Sequence, residues 1–328
     1  MRTSSPRHDD RVSAPHGLGI AVEVGGGHAT CALVDGVRVI DKRLVEEVGS
    51  QLATTLETVE VLVRSLLDDA RVAPADCSGV SLGFCGIVDA GSGRVVAVPQ
   101  GKFEDAPELD LVGWSRRAFG LPLQLENDTR LALLGEHWSG SARGYDDVAM
   151  LTLGTGIGGA AMVGGRLLRS RHHQAGVIGG HIPVSIDGRP CSCGGSGCAE
   201  AEASTWALPA ICAAWPGFAR SSLAAEEQID YLTLFRHYDV GDAVAAAVLE
   251  RSCDVWATLA VTLIHAYDPE ILIVGGAVMH RSEEVLPRIR ARVHDRAWTP
   301  GRTVQIQQSA LGDDSSLYGA IPLLGLAP

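Results

Sequence analysis

The sequence predicts an α/β protein of two lobes facing one another across a cleft. Three observations carry this. The chain has 328 residues and 46% hydrophobic content, beyond the roughly 250 residues at which a single core stops growing, so two packed units are expected. A strand-turn-strand unit occurs once in each half. Strands and helix-length apolar patterns also mix through both halves, as layered α/β lobes require.

Residues 1–16 are polar, carry two prolines and show no periodicity, which reads as a disordered tail, with structure from Gly17 onward. The segment GLGIAVEVGGGHATCALVDGVRVI runs as strand, glycine turn, strand, Asp-Gly turn at 35–36 and strand, a β-meander. VAMLTLGTGIGGAAMVGGRLL repeats that grammar, with glycines at 154, 156, 158 and 159 and a Gly-Gly turn at 164–165. Gly25 precedes Asp35 by ten residues and Gly154 precedes Gly164 by ten, so the meander reads as duplicated. Helical patterns are expected at 51–72, 109–119, 128–138, 200–213, 240–267 and from 313, and strands at 78–84, 94–98, 122–125 and 271–274. The expected division places an N-terminal lobe at 17–126, completed by the C-terminal helix 313–328. The C-terminal lobe is expected at 127–312, with a metal loop at 181–198.

Charge excludes some functions. A net charge of −12, with Lys42 and Lys102 the only lysines, lacks the clustered basic footprint of a nucleic-acid binder. No apolar run reaches the roughly 18 residues of a membrane helix, and the N-terminus lacks a signal-peptide core, so a cytoplasmic location without membrane partners is expected. Of eight cysteines, Cys191, Cys193 and Cys198 crowd into eight residues, whereas Cys31, Cys77, Cys212 and Cys253 lie in apolar surroundings and read as packed thiols. With His181 the cluster offers one imidazole and three thiolates, a set that suits tetrahedral Zn2+ and leaves no open position, hence a structural metal. Three free buried thiols are the competing reading, but a Cys-x-Cys-x4-Cys run among glycines has little apolar surface to pack against.

Glycine between strands lets backbone N–H groups converge on an anion, and two such turns can grip one triphosphate from both sides. A plain hairpin turn is the competing role of each. Gly275 and Gly276 end the strand ILIV where a ligand such as adenosine can approach the backbone. Phosphoryl transfer to an alcohol needs a carboxylate to take the proton. Asp128, after a short strand and at the start of a helix, is placed for it, and capping of that helix by Asn127 or Asp128 is the equal alternative.

The runs ENDTRLALLGE, LTLGTGIGGAAMVGG, CSCGGSGCAE and DPEILIVGGAV, in that order, resemble the ROK family of sugar kinases and related repressors over residues 17–328. The resemblance implies an actin-like ATPase (ribonuclease H-like) fold, with ATP and Mg2+ as cofactors and a hexose-like sugar as substrate. It implies a phosphate-1 turn at Gly25, Gly26 and Gly27, a phosphate-2 turn at Gly154, Thr155, Gly156, Gly158 and Gly159, and adenosine contacts at Gly275 and Gly276. Asn127 becomes a sugar ligand and Asp128 the general base. Gly83 and Gly86 of SLGFCGIVD form the N-lobe sugar loop, and His181 serves the sugar side as well as the metal. Glu200 becomes a sugar-hydroxyl acceptor, with a helix first-turn charge as its competing role. Family habit implies a homodimer or homotetramer.

Departures from the family pattern fall on both substrates. The first turn reads Glu23, Val24, Gly25, Gly26, Gly27, His28 where the family has Asp-x-Gly-Gly-Thr-Lys. Glu23 keeps a carboxylate able to hold Mg2+ through water, on a longer arm, and Gly27 removes a hydroxyl. The run Ala175 to His181 lacks the Glu of Gly-Glu-x-Gly-His and carries one extra residue. Loss of such a charged hydrogen bond, worth about 1.5–3 kcal/mol, shifts sugar specificity tenfold or more. Cys85 replaces a proline, and Gln100, Gly101 and Lys102 replace an Asn and Trp-containing stretch, with Lys102 expected to be solvated. His137, His172 and His173 read as surface or core residues, and Trp114, Trp206 and Trp256 as packed on apolar helix faces. Two functions follow: an ATP-dependent sugar kinase, or a non-catalytic sugar sensor of the same fold. The sixteen residues before Gly17 are too few for the helix-turn-helix of the repressors.

Overall fold

The first strand sets the layers of the molecule. The computed structural model describes residues 17–46 and 48–327, and the expected tail at 1–16 lies outside them. In β1 (Leu18–Val24), Ile20, Val22 and Val24 face one apolar cluster while Ala21 faces another, the two-residue alternation of a sheet covered on both sides. It continues antiparallel into β2 (Ala29–Val34) and β3 (Val39–Val45). The chain then runs through α1 (Leu52–Ala70), β4 (Cys77–Phe84), the hairpin β5 (Ile87–Asp89) and β6 (Arg94–Ala97), α2 (Leu111–Phe119) and β7 (Leu123–Asn127). β4 and β7 lie parallel to β1, giving the order β3-β2-β1-β4-β7.

After α3 (Asp128–Ser139), the same design returns. The antiparallel β8 (Val148–Leu153), β9 (Ile157–Val163) and β10 (Arg166–Leu167) are followed by α4 (Ala199–Ala203), α5 (Leu208–Ala213), α6 (Tyr231–Asp239) and α7 (Ala243–Tyr267). Then come β11 (Ile271–Gly275), α8 (Ser282–Arg296), β12 (Gln305–Gln308) and α9 (Ser315–Leu323). The second sheet has the order β10-β9-β8-β11-β12, with β11 parallel to both β8 and β12. The duplicated meander and the two-lobed α/β fold expected from the sequence are both present. Among the described residues no helix is long and apolar enough to cross a membrane.

Helices α1 and α2 cover one face of the first sheet and α9 the other. Helices α5 to α8 cover one face of the second sheet and α3 the other. The inner helices α3 and α9 meet at glycines: a Cβ on Gly135 would collide with Ser315 O and one on Gly319 with Leu131 O. Such backbone contact is open only to glycine.

Several elements differ from expectation, α6 and β5 among those the pattern did not mark. The helix expected at 200–213 is two helices, because Ser204 closes α4 in an extended conformation and Pro209 opens α5. Helix α8 was hidden by its charge: only Val285, Leu286, Ile289 and Val293 of its fifteen residues are buried. Strand β12, QIQQ, buries only Ile306 and exists through pairing with β11, a tertiary effect that outweighs intrinsic preference.

Candidate functional site

Parallel strands commonly deliver ligand-binding segments at their carboxyl ends, and in both sheets those ends carry the segments singled out in the sequence. β1 ends in the turn Gly25–Gly27, β4 in the Cys85–Gly86 loop and β7 in Asp128 at the start of α3. In the second sheet β8 ends in Gly154–Gly156 and β11 in Gly275–Gly276. The two glycine turns face each other: a Cβ on Gly26 would lie 3.5 Å from Thr155 Cγ2, and one on Gly27 3.4 Å from Thr155 Oγ1. Gly276, at φ +88°, packs where a Cβ would lie 2.5 Å from Leu153 O, just before the second turn. Gly158 and Gly159 have another use. Their missing side chains let Thr129 and Gly179 approach β9.

Asp128 and Glu23 flank these turns. Burial, reinforced by the charge of Glu23, pushes the Asp128 carboxyl up to about 7, against an opposing hydrogen bond of 2.7 Å from Thr129 N. Burial also pushes Glu23 up to about 7, with Asp313 and Asp314 adding to the rise and the Ser316 hydroxyl, which donates to Glu23 Oε2, opposing it. Crowded carboxyls of this kind favour a cation between or beside them. The Cys85 thiol is held well above its ordinary value by burial and then by the Asp128 charge, so it is an inert wall of the same space.

Asn127 resolves the capping alternative. Its Oδ1 accepts from Arg130 N at 3.1 Å, making Asn127 the N-cap of α3, and its Nδ2 donates to Gly86 O at 3.2 Å. Asp128, the first helical residue, is thereby free of the capping role. Gly83 lets Leu131 and the Asp128 backbone close on β4.

Sequence reasoning missed the charges beneath this site. Glu126 is fully buried, paired with Arg169 and with Arg130 Nη1 at 3.5 Å. Arg130 also donates to Ala175 O at 2.6 Å, so it ties the Asn-Asp corner to the loop before His181. The signal was the i, i+4 spacing of Glu126 and Arg130 within ENDTR.

Glu200 is buried, with Oε2 accepting from Ile157 N at 2.9 Å and Oε1 from Trp206 Nε1 at 3.1 Å. It faces the second glycine turn. Trp206 corrects one expectation: it lies between α4 and α5, 43% exposed, rather than packed on a helix face. Trp256 is fully buried and Trp114 packs on the first core, as expected. Lys102 corrects another. Its Nζ donates to Val48 O at 3.1 Å and stands 4.9 Å above the Phe103 ring. Cys31, Cys77, Cys212 and Cys253 are buried thiols.

His181, Cys191, Cys193 and Cys198 converge, with ligand atoms all within 4.8 Å of one another. Cys193 and Cys198 sulfurs are 3.7 Å apart, and Cys191 Sγ is 3.5 Å from His181 Nδ1. Zinc–sulfur bonds of about 2.3 Å in a tetrahedron put sulfurs about 3.8 Å apart, so the set fits that geometry. Glu202, buried beside it, accepts from Arg189 N at 2.7 Å and pairs with Arg251 of α7 at 2.9 Å, anchoring the loop. A separate surface cavity of about 450 Å³, lined by residues including His294, Trp298 and Arg302, contains none of these residues.

Comparison with known proteins shows the family. Residues 19–325 match the model of the ROK family. A glucokinase of Thermotoga maritima is 30% identical, over 93% of this chain and 96% of the relative. A xylose repressor of Caldicellulosiruptor bescii is 23% identical, over 94% of this chain and 77% of the repressor. Among solved structures, a ROK family glucokinase from Streptomyces griseus in complex with glucose and AMPPNP superposes with a TM-score of 0.81 at 29% identity, covering 94% of this chain and 99% of that one.

Proposed function

The chain belongs to the ROK family and is a carbohydrate kinase, and we propose that it transfers the γ-phosphoryl group of ATP to a hydroxyl of a hexose or hexose-derived sugar, with Asp128 as general base. One observation carries this reading: Asp128, whose carboxyl burial pushes up to about 7, stands at the carboxyl end of β7, in the same sheet whose β1 ends in a glycine turn facing Thr155 of the other glycine turn. A base poised near neutral pH is ionised enough to accept a proton and basic enough to hold it.

In this mechanism the turns Gly25–Gly27 and Gly154–Gly156 hold the phosphates through backbone N–H groups, and the Gly275–Gly276 strand end borders the adenosine. Asp128 takes the hydroxyl proton as the new O–P bond forms and the bond from the γ-phosphorus to the bridging oxygen breaks. Mg2+ bound with the nucleotide supplies charge neutralisation, and Glu23 is the carboxylate placed to hold it through water. Asn127 shapes the sugar side indirectly, by fixing the Gly86 loop, and Gly83, Gly86 and His181 border it. We assign Zn2+ to His181, Cys191, Cys193 and Cys198. With four protein ligands it offers no open position to a substrate, so its role is to order a loop rich in glycine.

The test is a panel of hexoses and amino sugars with ATP and Mg2+, read as ADP release, beside thermal shift with each sugar alone. Sugar-dependent ADP release is expected. Stabilisation by a sugar that never yields ADP would contradict the reading and favour a sensor.

A further inference from the structure

Thr129, the residue after the proposed base, turns both of its donors on one oxygen of that carboxyl. Its backbone N–H donates to Asp128 Oδ1 at 2.7 Å and its hydroxyl to the same oxygen at 3.4 Å. Thr129 is buried, and a hydroxyl has one proton to give. With that proton turned to Asp128, the Thr152 hydroxyl, 3.1 Å from Thr129 Oγ1, supplies the proton between the two threonines.

Thr152 anchors the contact in the other sheet. It lies in β8, two residues before Gly154 opens the second glycine turn, so the chain of hydroxyls joins the first turn of α3 to the strand that carries that turn. Gly158 of β9, which pairs with Thr152, makes the space: a Cβ there would collide with both Thr129 Oγ1 and Thr152 Oγ1. Any side chain at Gly158 would force the pair apart.

We infer that Thr129 and Thr152 are positioning residues for the base, holding Oδ1 so that Oδ2 meets the sugar hydroxyl and takes its proton. This rests on the reading of Asp128 as general base. A carboxylate free to swing spends part of its time with neither oxygen on the reacting hydroxyl, and a small misplacement of a catalytic group is costly. The same pair of hydroxyls fixes the reach from Asp128 to the second glycine turn.

The experiment is steady-state kinetics of ADP release with the best sugar of the panel. Thr129→Val keeps the shape and removes the hydroxyl, and is expected to lower kcat about tenfold with KM for sugar and ATP within about twofold. Thr129→Ser keeps the hydroxyl and should return kcat to within about threefold of wild type. Thr152→Val should cost several-fold, and its combination with Thr129→Val no more than Thr129→Val alone, because both act through one chain. In an Asp128→Asn background Thr129→Val should change the residual rate by less than about twofold, whereas a packing defect would lower it again. A loss seen chiefly in KM, a Thr129→Ser as impaired as Thr129→Val, or a second loss on top of Asp128→Asn would overturn the inference. An unchanged kcat in Thr129→Val beside an inactive Asp128→Asn would overturn the inference alone and leave the base assigned. A wild type without sugar-dependent ADP release, or an Asp128→Asn that turns over as wild type, would overturn the reading of the base and the inference with it.

Discussion

Thr155 and Gly27 face one another across the cleft, so that a Cβ added to Gly27 would lie 3.4 Å from Thr155 Oγ1. None of Gly25, Gly26 and Gly27 has a positive φ, and a Cβ at each would make only ordinary contacts, so neither backbone conformation nor packing within the protein demands glycine there. Gly27→Val is therefore expected to fold normally while filling the gap proposed for the phosphates. ATP affinity should fall at least about tenfold, with stabilisation by the sugar retained; calorimetry and thermal shift on the same preparation check both.

The paired carboxyls make a pH prediction of definite sign. Asp128 and Glu23 titrate near 7 when folded and near 4 when unfolded. The folded protein keeps protons that the unfolded chain releases, so their contribution is fully present below about pH 4 and lost as pH rises through about 7. In urea unfolding of the ligand-free protein, Asp128→Asn should reduce the loss of stability between about pH 5 and pH 8 by on the order of 1–2 kcal/mol. Catalysis has the opposite slope. kcat/KM for the sugar should fall about tenfold per unit below about pH 7, and Glu23→Gln should move that limb to lower pH.

Gly135 and Gly319 fix the crossing of the two inner helices. A methyl at Gly135 would strike Ser315 O, which is backbone and cannot swing aside. Gly135→Ala is expected to cost about 2 kcal/mol or more, even though alanine is the better helix former. A urea midpoint equal to that of the wild type would show that the crossing is looser than described.

Metal analysis of the purified protein is expected to find about one zinc per chain. Cys193→Ser should lose the metal and lower Tm, because removal of a ligand returns a glycine-rich loop to disorder. Zinc far below one per chain after gentle purification would remove the assignment.

Much of this was legible because strand alternation and glycine spacing are local signals. The duplicated meander, Asp128 at a strand-to-helix corner and the cysteine cluster are all readable from residue type and interval. Helix α8 and strand β12 were not, since one hides four apolar residues among charges and the other is polar and held by its neighbour β11. Trp206 was misplaced because Pro209 and the extended Ser204 break a pattern that looks continuous. The Val48 partner of Lys102 and the Arg169 partner of Glu126 lie more than forty residues away, and no spacing rule reaches that far.

The most direct test of the account is Asp128→Asn in a coupled ADP-release assay with the best sugar of the panel, with ATP binding measured on the same protein. A fall in kcat of at least about a hundredfold, with ATP affinity within about threefold of wild type, is the predicted result. Turnover close to wild type would contradict the assignment of Asp128 as the base.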